Sequence, residues 1–375
     1  RLNGINQQSA VVQDPAFFQA IPAFNQLPST AIPTVYRMSS DLRAPYTMQT
    51  ADSVERQITK VATISVTYLN SRGEHALFIR NAGATASGAS SNIYEYDSEG
   101  IFRQNQLIAN ARVSAGKKLS LFGFYTLGYA NSNAASGGGG AGFFGSGLTS
   151  SASFVSNSLD PMADYGRAAF DVRHRGFIGG NVSLPHAFSL SPFVIINSGQ
   201  PYNLTTGQDN NGDSIFNDRP WLATATNVDC RSRGSFAVQP TAAGLAPINY
   251  CTGRGNATLN LRLSKTFGLG PQEKGAGGAG GPGMRGPRMG GPGGLAGRGL
   301  SSGGGNPFGG GPSTNRRYNL TFAIMARNVL NSLNPGPPVG NLSSPNFGQS
   351  ISIAGGPFSS GSANRRVDLQ VMFSF

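Results

Sequence analysis

Apolar and polar residues alternate with a period of two along much of this chain, most clearly in its last eleven residues, RRVDLQVMFSF. Val367, Leu369, Val371, Phe373 and Phe375 fall on one side, and Arg366, Asp368, Gln370, Met372 and Ser374 on the other. Side chains of a strand point alternately to its two faces, so this spacing predicts a strand with one apolar and one mostly polar face. The same alternation recurs upstream. Tyr318, Leu320, Phe322, Ile324 and Ala326 oppose Asn319, Thr321, Ala323, Met325 and Arg327. Ala257, Leu259, Leu261 and Leu263 oppose Thr258, Asn260, Arg262 and Ser264, and Ala62, Ile64, Val66 and Tyr68 oppose Thr63, Ser65 and Thr67. RHRGFIGGNVSLP and HAFSLSPFVIINSGQPY read as a hairpin joined across Leu184, Pro185 and His186. QNQLIANARVSAGKKLSLFGFYTLGYA reads as a second hairpin turning at Ser114–Lys117, and APYTMQTADSVERQ as a weaker strand before them. The pattern predicts nine strands, each near the roughly 9–11 residues with which a tilted strand crosses a bilayer.

The connections also alternate. Those near residues 57–60, 114–117 and 184–187 are short, whereas those over 70–100, 130–169, 199–255 and 329–363 are long and rich in Gly, Ser and Asn. Transmembrane barrels of the outer membrane have short periplasmic turns and long extracellular loops, so the rhythm predicts which end is which. It places Phe375 at the periplasmic end of a descending strand. Residues 1–43, including QDPAFFQAIPAFNQLPST, read as an extracellular loop region, and 44–375 as barrel wall. The low-complexity segment 268–314 reads as a Gly-rich insert on the periplasmic side, too poor in apolar residues to order itself. Nine strands with termini on opposite sides cannot close by antiparallel pairing, so the fold class expected is an all-β, antiparallel transmembrane β-barrel segment, the C-terminal part of a larger barrel.

Composition points the same way. The 375 residues include 53 Gly, and only 12% are charged and 38% hydrophobic, whereas a soluble domain carries about 25% charged residues. Both shortages fit a wall that faces lipid outside and water inside. No stretch approaches the roughly 20 unbroken apolar residues of a membrane helix. A soluble propeller or sandwich would favour short connections at both ends and a visible repeat, and the sequence has neither. The opening RLNGINQQSA is neither a start methionine nor a signal peptide, so the chain reads as mature or truncated. The net charge of +12 raises the question of nucleic acid. Arg285, Arg288 and Arg298 amid glycine resemble an RGG-type segment, which makes a soluble RGG-type nucleic-acid binder the alternative from another class. Without a basic helix, a zinc-finger spacing or an RRM-like aromatic motif, no nucleic-acid partner is expected.

Several segments in order carry a family resemblance: QNQLIANARV with LSLFGFYTLGYA, RHRGFIGGNVSLP, SGQPYNLTTGQDNNGDSIFNDRP, RNVLNSLNPG and the terminal RRVDLQVMFSF. Together these resemble the C-terminal barrel portion of TonB-dependent outer-membrane receptors, and most of all their Oar-like branch. The resemblance covers nearly the whole chain from about residue 44. It implies a barrel of about 22 strands, of which this chain would hold the last nine. It also implies an upstream plug through which a TonB-type energy-coupling protein acts on uptake of a large substrate. Terminal aromatics at Phe373 and Phe375 resemble the signal read by the barrel-assembly machinery. Outer-membrane lipid is the other expected partner, the cell outer membrane of a Gram-negative bacterium the expected location, and a structural or adhesive surface barrel the second function in view.

Catalysis finds no support in the residues. His75, His174 and His186 are scattered, and no HExxH, GxSxG, Walker or paired-carboxylate motif appears. The stretch with the most chemical character is DNNGDSIFND, where Asp209, Asn211, Asp213 and Asp218 offer oxygens spaced like those of a calcium loop. Gly212 and Pro220 break that pattern, and a turn in which Asx side chains cap their own backbone is the competing account. Cys230 and Cys251 lack metal-ligand spacing and, in an oxidising compartment, read as one disulfide.

Overall fold

A computed structural model of the chain describes residues 34–84, 92–116, 118–134, 152–272, 314, 316–354 and 363–375. In chain order the strands are β1 (Thr34–Met38), β2 (Tyr46–Thr59), β3 (Ala62–Asn81), β4 (Asn92–Ala115), β5 (Leu119–Ser132), β6 (Gly166–Arg167), β7 (His174–Leu184) and β8 (Phe188–Asn197). There follow β9 (Pro201–Tyr202), β10 (Trp221–Leu222), β11 (Phe236–Ala237), β12 (Cys251–Thr252), β13 (Asn256–Gln272), β14 (Arg316–Arg327) and β15 (Arg366–Ser374). Nine of them form one antiparallel path in the order β2, β3, β4, β5, β7, β8, β13, β14, β15. These are the nine strands that the alternation predicts. Among the described residues β2 and β15 each have a single neighbour, and the sheet is not closed.

Register fixes what each face carries. Ser264 lies opposite Ala323 and Thr266 opposite Thr321, while Ala323 lies opposite Gln370 and Thr321 opposite Met372. One face therefore bears Thr258, Asn260, Arg262, Ser264 and Thr266 of β13, all buried, and the other bears Leu263, Phe322, Ile324, Leu369 and Phe373, all exposed. Large apolar side chains left outside on every strand are what lipid would cover. Thr321 and Thr266 share a hydroxyl hydrogen bond of 2.9 Å across the polar face.

Aromatic residues mark two heights on the apolar face. Near the short turns, Tyr318 stacks on Phe373 at 6.0 Å, Phe267 meets Phe322 edge-on at 5.9 Å, and Phe375 follows Phe373. The ammonium of Lys265 sits 4.6 Å from the Phe188 ring and 5.0 Å from Phe267. Toward the other end Tyr68 donates to Asn105, Tyr125 contacts His174 Nδ1 at 2.7 Å, and Arg173 covers the Tyr129 ring at 4.2 Å. From Leu119 to Tyr129 the β5 strand rises roughly 33 Å, which at the roughly 35–45° tilt of such barrels spans about 23–27 Å. That matches an apolar band of about 25 Å edged by amphipathic rings.

Three expectations about boundaries change. The long connection read over 70–100 is mostly strand, because β3 has 20 residues and β4 has 24. Above the apolar band these strands carry a polar face that only tertiary contacts can satisfy, so it does not look like a membrane strand in sequence. Within residues 1–43, read as loop, β1 pairs in parallel with β4. Glu95 there receives Arg37 at 2.6 Å and Arg80 at 3.3 Å, and Arg80 also reaches Asp97 at 3.0 Å. The Gly-rich insert begins later than its composition suggests, since β13 continues to Gln272. The remainder of that segment up to 313, with Arg285, Arg288 and Arg298, lies outside the described residues.

Candidate functional site in the loop cap

The long connections at the end away from the short turns pack together over the wall. Tyr202, Leu204, Leu222, Phe236, Ala246, Cys251 and Phe347 form an apolar cluster drawn from the segments 198–255 and 328–354. Cys251 and Cys230 are joined in a disulfide, with Cα atoms 5.8 Å apart, as their isolation in the sequence suggested. The Tyr202 hydroxyl donates to the Cys230 carbonyl at 3.2 Å, and β12 pairs with β9 beside it. Close backbone approach requires glycine here. A Cβ on Gly340 would lie 1.9 Å from the Asn203 carbonyl oxygen.

The DNNGDSIFND stretch forms a tight turn. Its Gly212 adopts φ 75° and Ser214 φ 62°. Asp209 Oδ1 and Asn211 Oδ1 both accept from the Asp213 N–H, at 3.0 and 2.9 Å, and Asp209 Oδ2 accepts from Ser214 N–H at 2.9 Å. Asp213 accepts from the Ile215 N–H at 2.9 Å and, across the cap, from the Ser158 N–H at 3.0 Å. Asp218 Oδ2 accepts from the N–H groups of Asn210 and Asn211 at 2.6 and 3.2 Å, and its Oδ1 from Asn211 Nδ2 at 2.7 Å. The four residues proposed as calcium ligands are thus gathered in one turn, with their oxygens turned to backbone and amide N–H groups. Among the described residues no group of three or more His, Cys, Asp or Glu is placed to hold a metal ion. The geometry is that of Asx turns closing on their own backbone.

Burial sets the electrostatics. It raises the Asp218 carboxyl to about 6 despite the N–H donors from Asn210 and Asn211, with Asp213 and Asp209 adding to the rise. Asp213 is raised too, chiefly by burial, against the donors from Ser158 and Ile215. Arg219, next in sequence, is almost wholly enclosed. Its guanidinium donates to Ser156 Oγ at 3.2 Å and to the carbonyls of Ala246 and Ala163, both at 2.8 Å, and pairs with Asp164 Oδ1 at 3.2 Å. Asp164 in turn accepts from the Ser156 N–H at 2.6 Å and from its hydroxyl. Burial lowers the affinity of Arg219 for its proton, and Asp164 and then Asp218 oppose that effect.

Beside this network lies a cleft of about 310 Å³. Asp218 and Arg219 form part of its wall, with Trp221, Asn157, Asn210 and Gln239 around it and Ala163, Val238, Pro240 and Leu245 as its apolar portion. Sequence reasoning singled out Asp218 but missed Asp164, Ser156 and Trp221. The separation of Arg219 from Ser156 by 63 positions leaves no local trace of their contact. The one available signal was Trp221, the sole tryptophan of the chain, just after the Asp–Arg–Pro triplet. The histidines stay apart: His75 contacts the Ser98 carbonyl, His174 contacts Tyr125, and His186 sits in the β7–β8 turn.

Residues 3–274 match the family described as outer membrane beta barrel domain. The fold is similar to that of the outer membrane transporter YddB from Escherichia coli, with a TM-score of 0.42 and 11% identity over 91% of this chain. The similarity takes in 33% of the transporter's own chain, so this chain spans about a third of its length. No curated protein matches.

Proposed function

We propose, from the premise that the chain belongs to the outer membrane beta barrel domain family, that it is wall and outer cap of a receptor that passes a substrate across the outer membrane. The observation that carries this reading is the inverted sheet. Its exposed face is apolar and edged by aromatic rings, and its sheltered face bears Thr258, Asn260, Arg262, Ser264 and Thr266 on β13 alone. A polar face of that kind lines a hydrated path. Further strands would cover the free edges of β2 and β15, because an unpaired edge in hydrocarbon leaves each backbone group unsatisfied at several kcal/mol. The finer reading is a TonB-dependent receptor of the Oar-like type, whose energy reaches the wall through a plug contributed by another part of the protein. On this reading Phe373 and Phe375, exposed at the edge of β15, are also the contact for the assembly machinery.

The test uses cells that carry the complete gene. Solute depletion from a defined growth medium is compared for cells with the gene, without it, and without the energy-coupling protein. Uptake reading predicts a solute whose depletion needs both. A solute that needs the barrel alone would leave a passive pore, and unchanged depletion in all three strains would leave a structural or adhesive role.

A further inference from the structure

Beside the Asp218 turn a half-buried indole and several amide side chains border an open volume of about 310 Å³. Two groups of its wall are already engaged. The Arg219 guanidinium is held by three oxygens of the cap and by Asp164, and so has no fork left for a carboxylate or phosphate. The Asp218 carboxylate takes three N–H donors from Asn210 and Asn211. Arg219 offsets Asp164, and Asp218 leaves the wall of the cleft with a negative charge that disfavours an anionic ligand.

What remains for a ligand is an aromatic face and neutral hydrogen-bonding edges. The backbone of Trp221 is held in β10, which pairs with β11, and by a bridge to Leu245 on the opposite side. Its indole offers a broad apolar plane together with an N–H donor. Asn157 gives its oxygen to the Leu159 N–H at 2.9 Å and keeps its amide N–H groups, Asn210 donates to Thr206 Oγ1 at 2.9 Å and keeps its oxygen, and Gln239 carries a donor and an acceptor side by side. Adjacent hydroxyl groups on a pyranose ring likewise present donor and acceptor side by side, and the C–H face of the ring is apolar. A small number of placed polar groups on an apolar surface is the usual constitution of a specific small-ligand site, and the volume falls at the lower end of that class.

We propose that this cleft binds a neutral saccharide of two or three residues, stacked on Trp221 and hydrogen-bonded by Asn157, Asn210 and Gln239. The proposal rests on the receptor reading for its purpose but not for its test. Because Trp221 is the sole tryptophan of this chain, its environment reports occupancy of the cleft, and binding can be read without transport. The experiment takes the complete protein in detergent, with any tryptophan outside this segment replaced by phenylalanine, and titrates a panel of maltotriose, cellotriose, chitotriose and a charged control, trigalacturonate. The expected result is a saturable change in indole emission with at least one neutral trisaccharide and a weaker or absent response to trigalacturonate. Gln239→Ala, at the exposed edge of the cleft, should weaken that binding at least tenfold. Calorimetry with Trp221→Phe should show the same loss, with the Cys230–Cys251 bond intact as the check on folding. No response across the neutral sugars, equal or better binding of the charged one, or unchanged affinity in Gln239→Ala overturns the assignment. Saccharide binding without saccharide uptake by cells would leave the site in place and remove the transport reading.

Discussion

In the wall, Leu369 of β15 is 78% exposed and Val54 of β2 is 74% exposed, while Asn260 and Thr266 of β13 are buried. In the cap, Leu204 and Ala246 are buried, and buried polar residues such as Asp164, Asp213 and Arg219 are engaged by specific partners. The same chain thus follows opposite burial rules a few strands apart, because the two regions meet different solvents. The wall is held by the continuous backbone ladder between neighbouring strands, which needs little from any one side chain. The cap has no long ladder. It is joined by short backbone contacts, Asx side chains, buried ion pairs such as Arg219–Asp164 and one disulfide, so its order rests on a few residues with many obligations.

The largest expected effect tests that difference in the cap. Arg219→Ala leaves Asp164 buried with only Ser156 to serve it, and removing one partner of a buried pair costs about 3–5 kcal/mol. Hydrogen exchange in segments 152–164 and 205–219 should accelerate, while the strands of the wall keep their protection. A uniform acceleration would mean that wall and cap unfold as one unit.

Charge placed on the two faces sharpens the comparison from the other side. Phe322→Arg or Leu261→Arg, on the apolar face, should cost about 2–4 kcal/mol at mid-membrane in urea titrations of the bilayer-inserted protein. Thr321, which parity alone offers as the control, is a poor one because it is packed against Thr266. Gln370 is exposed on the polar face beside exposed Leu369 and accepts from the Arg262 guanidinium at 3.5 Å. Gln370→Glu should be nearly neutral and Leu369→Glu costly. Equal costs at these neighbours would contradict the two faces.

Reduction of the Cys230–Cys251 bond, which closes a separation of 21 residues, should destabilise the cap by about 3 kcal/mol on a chain-entropy estimate. Protease should then cut near Arg231 or Arg233 sooner, with heat-modifiability of the barrel unchanged. A reduced protein as resistant as the oxidised one would place the stability of this loop in its apolar cluster alone.

The smallest effect is a pH dependence confined to the cap. Asp218 holds its proton up to about 6, above its ordinary 3.8, so between these values the folded cap binds more protons than the unfolded one. Its contribution to stability is fully present below about 3.8 and is lost as pH rises through about 6. In Asp218→Asn the slope should flatten, as measured by cap exchange rates across that range. A slope unchanged in this variant would assign it to other carboxylates.

The strands of the wall were legible because lipid on one side and water on the other impose a period of two that no distant contact can disguise. Val367 to Phe373 can be read without a partner, and so can the side to which each residue turns. The same local rule also located the short turns, and the isolation of two cysteines in an oxidising setting indicated their bond. Tertiary structure alone decided the rest. It made 70–81 and 92–100 the far ends of β3 and β4, where β1 pairs with β4 and ion pairs such as Arg80–Asp97 engage the charged side chains. It put Phe177 and Phe193 on the polar face of the sheet, where they pack with Ile195, since the glycines of β7 leave its alternation ambiguous. It also decided that the carboxylates of DNNGDSIFND accept from N–H groups, and that Ser156, Asp164, Arg219 and Trp221 meet around one cleft. Periodicity records which solvent a residue faces, but it holds no record of which loop will fold over it, because that pairing spans dozens of residues and is fixed only when the chain closes on itself.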